Sequence, residues 1–159
     1  MIIQKDGNLL TEPNINIICH QANLFHTFGA GIAAQIKKLY PKAYEADCKT
    51  VYGDKEKLGT YSLVDISTKL DSLFSEIRYV ANCYTQNSMG AFADNTNYDA
   101  IEKLFTNLHS FALNNNYTIG VPHCYGSGIS GGDWTKVYAI FEKIFKDSPV
   151  KLLIMKYAP

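Results

Sequence analysis

Residues 20–33, with the sequence HQANLFHTFGAGIA, decide the fold of this chain. A short apolar run over residues 15–19 precedes this segment and predicts a buried strand. The segment ends in Gly29-Ala30-Gly31, and the residues from Ile32 onward have a helical pattern. The sequence therefore predicts a strand, a polar loop and a glycine-rich turn into a helix. This layout directs backbone N–H groups and a positive helix end toward an anion such as phosphate.

A second segment repeats this layout further along the chain. The apolar run 117–122 leads into the glycine-rich loop 126–132, and Asp133 and Trp134 begin an amphipathic helix. If the two strands are neighbours in one sheet, the two loops face each other across a crevice at the strand ends, and backbone N–H groups from both sides hold a diphosphate. The alternative is that both loops are only tight turns.

Strand and helix patterns alternate along the rest of the chain, which indicates an α/β layered fold. Strands are predicted over residues 1–4, 15–19, 60–66, 77–84, 117–122 and 150–155. Helices are predicted over residues 30–39, 43–48 and 98–113, with Asn97 as an N-cap, and from Asp133 to just before Pro149. Residues 51–58 are polar and are predicted to form a solvated loop. The length of 159 residues predicts a single domain, residues 1–159.

Charge and cysteine usage exclude several classes of protein. Fifteen basic and fifteen acidic side chains cancel, so the sequence gives no electrostatic indication of general nucleic-acid or anionic-membrane binding. No signal peptide and no membrane-spanning apolar run is apparent. The four cysteines form no CxxC pair and have no histidine at zinc-finger spacing, so we expect reduced thiols, no metal and a cytoplasmic location.

Two histidines flank an asparagine in the first loop segment and are candidates for proton transfer. In this interpretation Asn23 binds a sugar hydroxyl, and His20 or His26 gives or takes a proton near neutral pH. The alternative is that each histidine only satisfies a backbone carbonyl. His123, which precedes the second loop, is a weaker candidate of the same kind.

Other polar residues near the predicted crevice have two interpretations each. Asp133 is either an N-cap of the helix that follows it or a catalytic acid or base. Thr85 and Gln86 follow the strand 77–84 and either line the crevice or form an ordinary polar turn. The motifs of serine nucleophiles, metalloproteases and P-loops are missing from the sequence, so no cofactor is expected.

The two loop segments together resemble those of macro domains. They are CHQANLFHTFGAGIAAQIKKLYPKAY at residues 19–44 and VPHCYGSGISGGDW at residues 121–134. The chain is most similar to small bacterial and phage members that process ADP-ribose-1''-phosphate, or that are related to the terminal ADP-ribose protein glycohydrolase. The resemblance covers about residues 1–155. It implies a three-layer α/β/α sandwich with a mixed, mostly parallel sheet and an ADP-ribose cleft at the strand ends.

The resemblance also implies which residues contact the ligand. Asn23 corresponds to the asparagine near the distal ribose, and Asn8 stands where the family often has an acidic residue that binds the adenine amino group. The implied ADP-ribose-binding residues are Asn8, Leu9, Gly29, Ala30, Gly31, Ile32, Thr85, Gln86, Tyr125, Gly126, Ser127, Gly128, Ile129 and Ser130.

Two departures from the family pattern affect the expected chemistry. Gln86 and Ser130 occupy the places of a lysine and an aspartate that the glycohydrolase relatives use. Because glutamine is not an amine nucleophile, the lysine-dependent route is not expected here.

Three functions follow from the resemblance. The first is a metal-independent hydrolase acting at the distal ribose C1'' of ADP-ribose-1''-phosphate, with catalytic residues His20 as acid–base group, Asn23 as orienting group and Asp133 as a second acid or base. The second is an ADP-ribose reader without turnover. The third is removal of ADP-ribose from modified protein or nucleic acid. We expect a monomer that binds ADP-ribose or its 1''-phosphate and no membrane.

Overall fold

Six strands form one sheet in the computed structural model, which describes residues 1–73, 76–88, 95–128 and 130–157. In chain order the strands are β1 Ile2–Asp6, β2 Ile17–Ala22, β3 Tyr61–Asp65, β4 Tyr79–Tyr84, β5 Ile119–Pro122 and β6 Leu152–Lys156. Their order across the sheet is β1-β6-β5-β2-β4-β3. Neighbouring strands are parallel except β3 and β4, which are antiparallel.

Helices cover both faces of this sheet. They are α1 Gly31–Leu39, α2 Pro41–Cys48, α3 Lys69–Leu73, α4 Tyr98–Asn115 and α5 Trp134–Phe145, with a 3-10 turn at Lys55–Lys57. Helices α4 and α5 pack on one face and α1 and α2 on the other. The predicted three-layer α/β/α sandwich is therefore confirmed. Within the described part of the chain, no helix has both the length and the apolar character needed to cross a membrane.

Strand β2 lies between β5 and β4 and contributes to both cores. Ile17 and Cys19 point into the core beneath α4 and α5, whereas Ile18 points into the core beneath α1 and α2. A strand buried on both faces has a continuous apolar run, which is why residues 15–19 could be predicted as a strand. The strand extends to Ala22, three residues beyond the prediction, so His20 belongs to β2 and not to the loop.

Several element boundaries agree with the sequence patterns, and one loop does not. The side chain of Asn97 accepts the N–H of Ala100 at 2.9 Å, which confirms the predicted N-cap of α4. The prediction of a solvated loop over residues 51–58 is wrong at Lys57, which is 8% exposed. Lys57 is buried because its ammonium group has hydrogen-bond acceptors inside the protein, on Leu24 and Thr50.

Candidate functional site

A cavity of about 550 Å³ opens at the carboxyl ends of β2 and β5, which are adjacent parallel strands. Two loops form its walls: loop A, residues 23–30, between β2 and α1, and loop B, residues 123–132, between β5 and α5. The described residues that line the cavity are Gln21, Asn23, Thr27, Gly29, Ala30, Gly31, Ile32, Ala33, Gln86, Pro122, His123, Cys124, Tyr125, Gly126, Gly128 and Ser130. The structure thus brings the two glycine-rich segments to opposite walls of one cavity.

The amino end of α1 forms part of the wall. Gly31 is the first residue of this helix and has a φ of 58°, a left-handed conformation that glycine adopts at little cost. Ala30 provides no side-chain cap, and the first turn contains no acidic residue. Because residues 30–33 line the cavity, the N–H groups and the positive end of the helix dipole are available to an anion there.

Loop B is closed by hydrogen bonds to one carbonyl group. The carbonyl oxygen of Gly126 accepts the N–H of Gly132 at 3.0 Å, the Ser130 hydroxyl lies 2.9 Å from it, and the Thr96 hydroxyl donates to it. A Cβ atom on Gly132 would lie 2.1 Å from this oxygen. Glycine is therefore required at position 132 for the loop to close.

Hydrogen bonds between polar residues next to the cavity connect β2 to loop B. Gln21 accepts a hydrogen bond from the Ser130 hydroxyl at 2.8 Å and donates to the carbonyl oxygen of Thr85 at 3.2 Å. It also donates to Thr96 at 3.3 Å. The side chains of Gln21, Ser130 and Thr96 thus fix the position of loop B relative to β2.

Loop A is folded by the side chain of Asn23. Its carbonyl oxygen accepts the N–H of Phe25 at 2.8 Å, and its amide group donates to the Thr27 carbonyl at 3.3 Å and to the Thr27 hydroxyl. This is the local turn that asparagine side chains stabilise. Asn23 lines the cavity, but its polar atoms already hold the loop.

Side chains beneath loop A anchor it to α2 and to the segment that follows. Lys57 donates to the carbonyl oxygen of Leu24 at 3.1 Å, and Tyr44 donates to that of His26 at 3.1 Å. His26 bonds through Nε2 to the Thr50 carbonyl at 2.9 Å, so this histidine satisfies a backbone carbonyl. Burial lowers the pKa of Lys57.

His20 lies beneath loop A and is fully buried. Its Nε2 is 2.6 Å from the amide oxygen of Asn82, and the Asn82 amide nitrogen donates to the Ala43 carbonyl at 2.9 Å. Because the Ala43 carbonyl fixes the orientation of the amide, His20 is the donor and its Nδ1 carries no proton. This Nδ1 has no hydrogen-bond partner among the described residues. The ring of Phe28 packs edge-on against the imidazole at 5.0 Å.

Burial determines the charge of His20. It lowers the pKa of this side chain from 6.5 to about 4, although the bond to Asn82 opposes the shift. The imidazole is therefore neutral at pH 7. His20 is not among the cavity-lining residues, so the structure does not bring this predicted acid–base group to the cavity wall.

A histidine and a cysteine on the opposite wall form a close pair. The Nδ1 atom of His123 is 3.0 Å from the sulfur of Cys124, and its ring packs on Trp134 at 5.1 Å. His123 and Cys124 both line the cavity. None of the described lining residues is Asp, Glu, Lys or Arg, so the wall has no permanent side-chain charge.

Comparisons with known proteins identify a relative of this chain and its fold. No family model matches the chain. A phage T4 protein, an uncharacterised 17.5 kDa protein from the tk-vs intergenic region, is 33% identical over 145 residues, which cover 89% of this chain and 86% of the phage protein. The chain belongs to the same family as this phage protein.

Solved structures show the fold. The macrodomain of Thermus aquaticus DarG has a TM-score of 0.74 and 21% identity, covering 100% of this chain and 99% of its own. The macrodomain of Mycobacterium tuberculosis DarG has a TM-score of 0.75 and 22% identity, with 100% and 98% coverage. Thermosipho africanus DarTG in complex with ADP-ribose has a TM-score of 0.74 and 16% identity, covering 94% of this chain and 40% of that one. The chain is a macrodomain by fold.

Asp133 caps α5. Its carboxylate accepts the N–H of Thr135 at 2.9 Å, and it is not among the residues that line the cavity. Of the three residues predicted to be catalytic, the structure places Asn23 on the cavity and leaves His20 and Asp133 away from it.

Several residues predicted to bind ligand also lie away from the cavity. Asn8 accepts the N–H of Leu10 at 2.9 Å in a turn, and Leu9 is buried in the core. Thr85 is buried with its hydroxyl 2.7 Å from the Tyr125 hydroxyl, and Ser127 bonds to the Cys124 carbonyl at 2.9 Å. Ile129 lies outside the described residues.

The remaining predicted ligand residues line the cavity. They are Gly29, Ala30, Gly31, Ile32, Gln86, Tyr125, Gly126, Gly128 and Ser130. The ring of Tyr125 is buried against Phe105 and Phe141, so this residue faces the cavity with its backbone.

Five residues that the sequence did not assign to the site also line the cavity: Gln21, Thr27, Ala33, Pro122 and Cys124. Gln21 could have been found from strand alternation, because it lies two residues after Cys19 and points to the same side of β2 as that residue. No local sequence signal identifies Thr27 or Cys124.

Proposed function

We propose that the cavity binds an ADP-ribose group, with the diphosphate between loop A and loop B. The observation that carries the proposal is the position of the two glycine-rich loops, on adjacent parallel strands and on opposite walls of one cavity. The volume of about 550 Å³ lies within the range of small-molecule sites. The structural similarity to Thermosipho africanus DarTG, which was solved with ADP-ribose, supports the same ligand class.

The electrostatics of the wall support an anionic ligand. The first turn of α1 offers uncapped N–H groups at Ala30–Ala33, and none of the described lining residues carries a carboxylate that would repel phosphate. Since no described lining residue is Lys or Arg either, the anion is held by backbone dipoles. The uncharged side chain of Gln86 is available to the ribose hydroxyls, whereas the Ser130 hydroxyl is already bonded to Gln21 and to the Gly126 carbonyl.

Isothermal titration calorimetry with ADP-ribose tests the proposal. We expect one saturable site, with weaker binding of ADP and of ribose-5-phosphate, because each of these occupies only part of the cavity. Equal binding of ADP and ADP-ribose would mean that the distal ribose makes no contact. The absence of any binding heat, together with unchanged thermal stability at millimolar ADP-ribose, would refute the proposal.

A second candidate function is hydrolysis of ADP-ribose-1''-phosphate at the distal ribose. His123 favours it, because a histidine on the cavity wall is able to transfer a proton to or from the ligand. In this hypothesis His123 replaces the buried His20 as the acid–base group, and Asn23 positions loop A through its bonds to Phe25 and Thr27. The lysine-dependent release of ADP-ribose from protein or nucleic acid is disfavoured, because Gln86 lines the cavity without an amine.

Phosphorus NMR distinguishes hydrolysis from binding in one sample. Release of inorganic phosphate from ADP-ribose-1''-phosphate, with intact diphosphate signals and strong slowing in His123→Gln, would support the hydrolase. Broadened diphosphate signals without consumption of the monoester would support a reader of ADP-ribose. His20→Gln provides a control, since the structure keeps that side chain away from the cavity.

A further inference from the structure

The pair formed by His123 and Cys124 is not needed to bind an ADP-ribose group. Its sulfur–nitrogen distance of 3.0 Å is that of a hydrogen bond between the thiol and the imidazole. Trp134 packs on the ring of His123 at 5.1 Å and fixes its orientation. A thiol beside a histidine is the arrangement in which cysteine becomes a nucleophile.

The backbone of Cys124 is unusual. Its φ of 64° lies in the left-handed region, which residues other than glycine, asparagine and aspartate rarely adopt. The carbonyl of Cys124 accepts the N–H of Ser127 at 3.0 Å and its hydroxyl at 2.9 Å, and these bonds hold the conformation. Conformations of this kind cluster at functional sites, where surrounding contacts maintain them.

The other three cysteines lie in different environments. Cys19 and Cys83 are completely buried between the sheet and its helices, where disulfides in solution do not reach them. Cys48 is exposed on α2, and its thiol interacts with the Tyr44 hydroxyl. Cys124 is partly exposed, lines the cavity and has an imidazole partner.

We propose that Cys124 is a thiol-modification site that reacts with low-molecular-weight disulfides and closes the cavity. The Cys124 proton moves to Nδ1 of His123, and the sulfur attacks one sulfur of the disulfide. A bond forms between these two sulfurs, the original disulfide bond breaks, and the second sulfur leaves as a thiolate that takes up a proton. The product is a mixed disulfide, and a thiol reductant reverses the reaction.

The position of Cys124 links this reaction to ligand binding. A group attached to its sulfur occupies space in a cavity of about 550 Å³ that the proposed ligand would fill. Thiolation therefore excludes the ligand without a change in fold. This part of the inference rests on the proposed function, whereas the reactivity of the pair does not.

The first experiment measures reactivity and uses Cys48 as an internal control. The full chain is incubated with oxidised glutathione, quenched at intervals and analysed by peptide mass spectrometry. We expect Cys124 to be modified about tenfold faster than the more exposed Cys48. In His123→Gln we expect the rate at Cys124 to fall to that of Cys48, with an unchanged circular dichroism spectrum. Equal rates at the two cysteines in the wild type would overturn the proposal.

The second experiment measures closure of the cavity. ADP-ribose affinity is compared before and after thiolation, and again after dithiothreitol; we expect loss and full recovery. Cys124→Ser is treated identically and should keep the affinity of its own untreated sample. Unchanged affinity of fully thiolated protein would overturn closure. If the untreated wild type does not bind ADP-ribose, the proposed function fails, and the comparison of rates still decides whether Cys124 is a modification site.

Discussion

Loop A and loop B face the same cavity but are held in place by different means. Loop A rests on the side chains of Lys57 and Tyr44, which lie beneath it, and its own His26 bonds to the Thr50 carbonyl. Loop B closes around its own Gly126 carbonyl, which accepts the N–H of Gly132 and the hydroxyl of Thr96. Its Tyr125 ring is buried among aromatic side chains.

This difference explains which residue types matter in each loop. In loop A, Asn23 and Thr27 line the cavity together with Gly29 and Ala30, but the Asn23 side chain bonds to Thr27 and supports the loop. In loop B, the glycines determine the geometry, because a side chain at position 132 would collide with the Gly126 carbonyl. A histidine or asparagine near a glycine-rich loop is thus as consistent with support as with catalysis.

Acid should destabilise the protein through His20, which lies beneath loop A, and this is the largest effect we expect. Burial lowers the pKa of His20 from 6.5 to about 4, so the unfolded chain binds more protons than the folded protein between these pH values. The free energy of unfolding therefore rises with pH across this range and falls by about 3 kcal/mol as the pH is lowered through it. Urea titrations at a series of pH values measure this change.

A matched variant isolates the contribution of His20. His20→Gln is neutral at every pH, so its unfolding free energy should depend less on pH over the same range. Glu12, whose pKa is lowered mainly by its hydrogen bond with Lys5, contributes equally to both proteins and cancels in the difference. Identical pH dependence in the two proteins would show that His20 is not the buried neutral group described here.

The cavity side of loop A can be blocked at the start of α1. A Cβ atom on Gly31 would meet no atom within 4 Å, so a longer side chain has room to extend. Gly31→Glu places a carboxylate beside the proposed diphosphate and should weaken ADP-ribose binding by about a hundredfold, as measured by calorimetry. Gly31→Gln has the same backbone strain and nearly the same size without the charge. If both variants bind equally, charge repulsion is not the cause.

The backbone closure of loop B can be broken at Gly132. Gly132→Ala forces the Gly126 carbonyl to move, and we expect about tenfold weaker ADP-ribose binding and a loss of about 1–3 kcal/mol in stability. Gly128→Ala is the control for stability, because a Cβ atom there meets nothing within 4 Å. Wild-type affinity in Gly132→Ala would mean that the closure of loop B does not shape the site.

The smallest expected effect is on stability, at Asp133, which directly follows loop B. Asp133→Ala removes the N-cap of α5 and should cost about 1 kcal/mol of stability, with ADP-ribose affinity unchanged. Asp133→Asn keeps a capping oxygen and should restore most of this stability in thermal unfolding. A large loss of turnover or affinity in Asp133→Asn would instead support the catalytic interpretation.

The fold and the position of the two glycine-rich loops on one cavity were predictable, because both depend on patterns within short segments. Apolar runs identify β2 and β5 as buried strands, and glycine-rich turns after parallel strands lie at the same edge of a sheet. The adjacency of the two strands was a condition of the prediction, and the structure meets it.

The roles of individual polar residues were less predictable, because they depend on residues far away in sequence. The buried imidazole of His20 has its hydrogen-bond partner on Asn82, which lies 62 positions later in the sequence. Lys57 is buried because the carbonyl of Leu24 and the hydroxyl of Thr50 accept hydrogen bonds from its ammonium group. A local pattern contains no information about such partners, so a polar residue in a loop could not be assigned to the cavity or to its support.

The order of strands in the sheet has a consequence for how the protein is made. Strand β1 lies at the edge and pairs with β6, so residues 2–6 find their partner in residues 152–156. During synthesis on the ribosome, β1 can pair with its neighbour in the sheet only after β6 has been synthesised. We expect the native structure to form late, after β6 has emerged, and fragments that lack β6 to expose an unpaired edge of β5 and to aggregate.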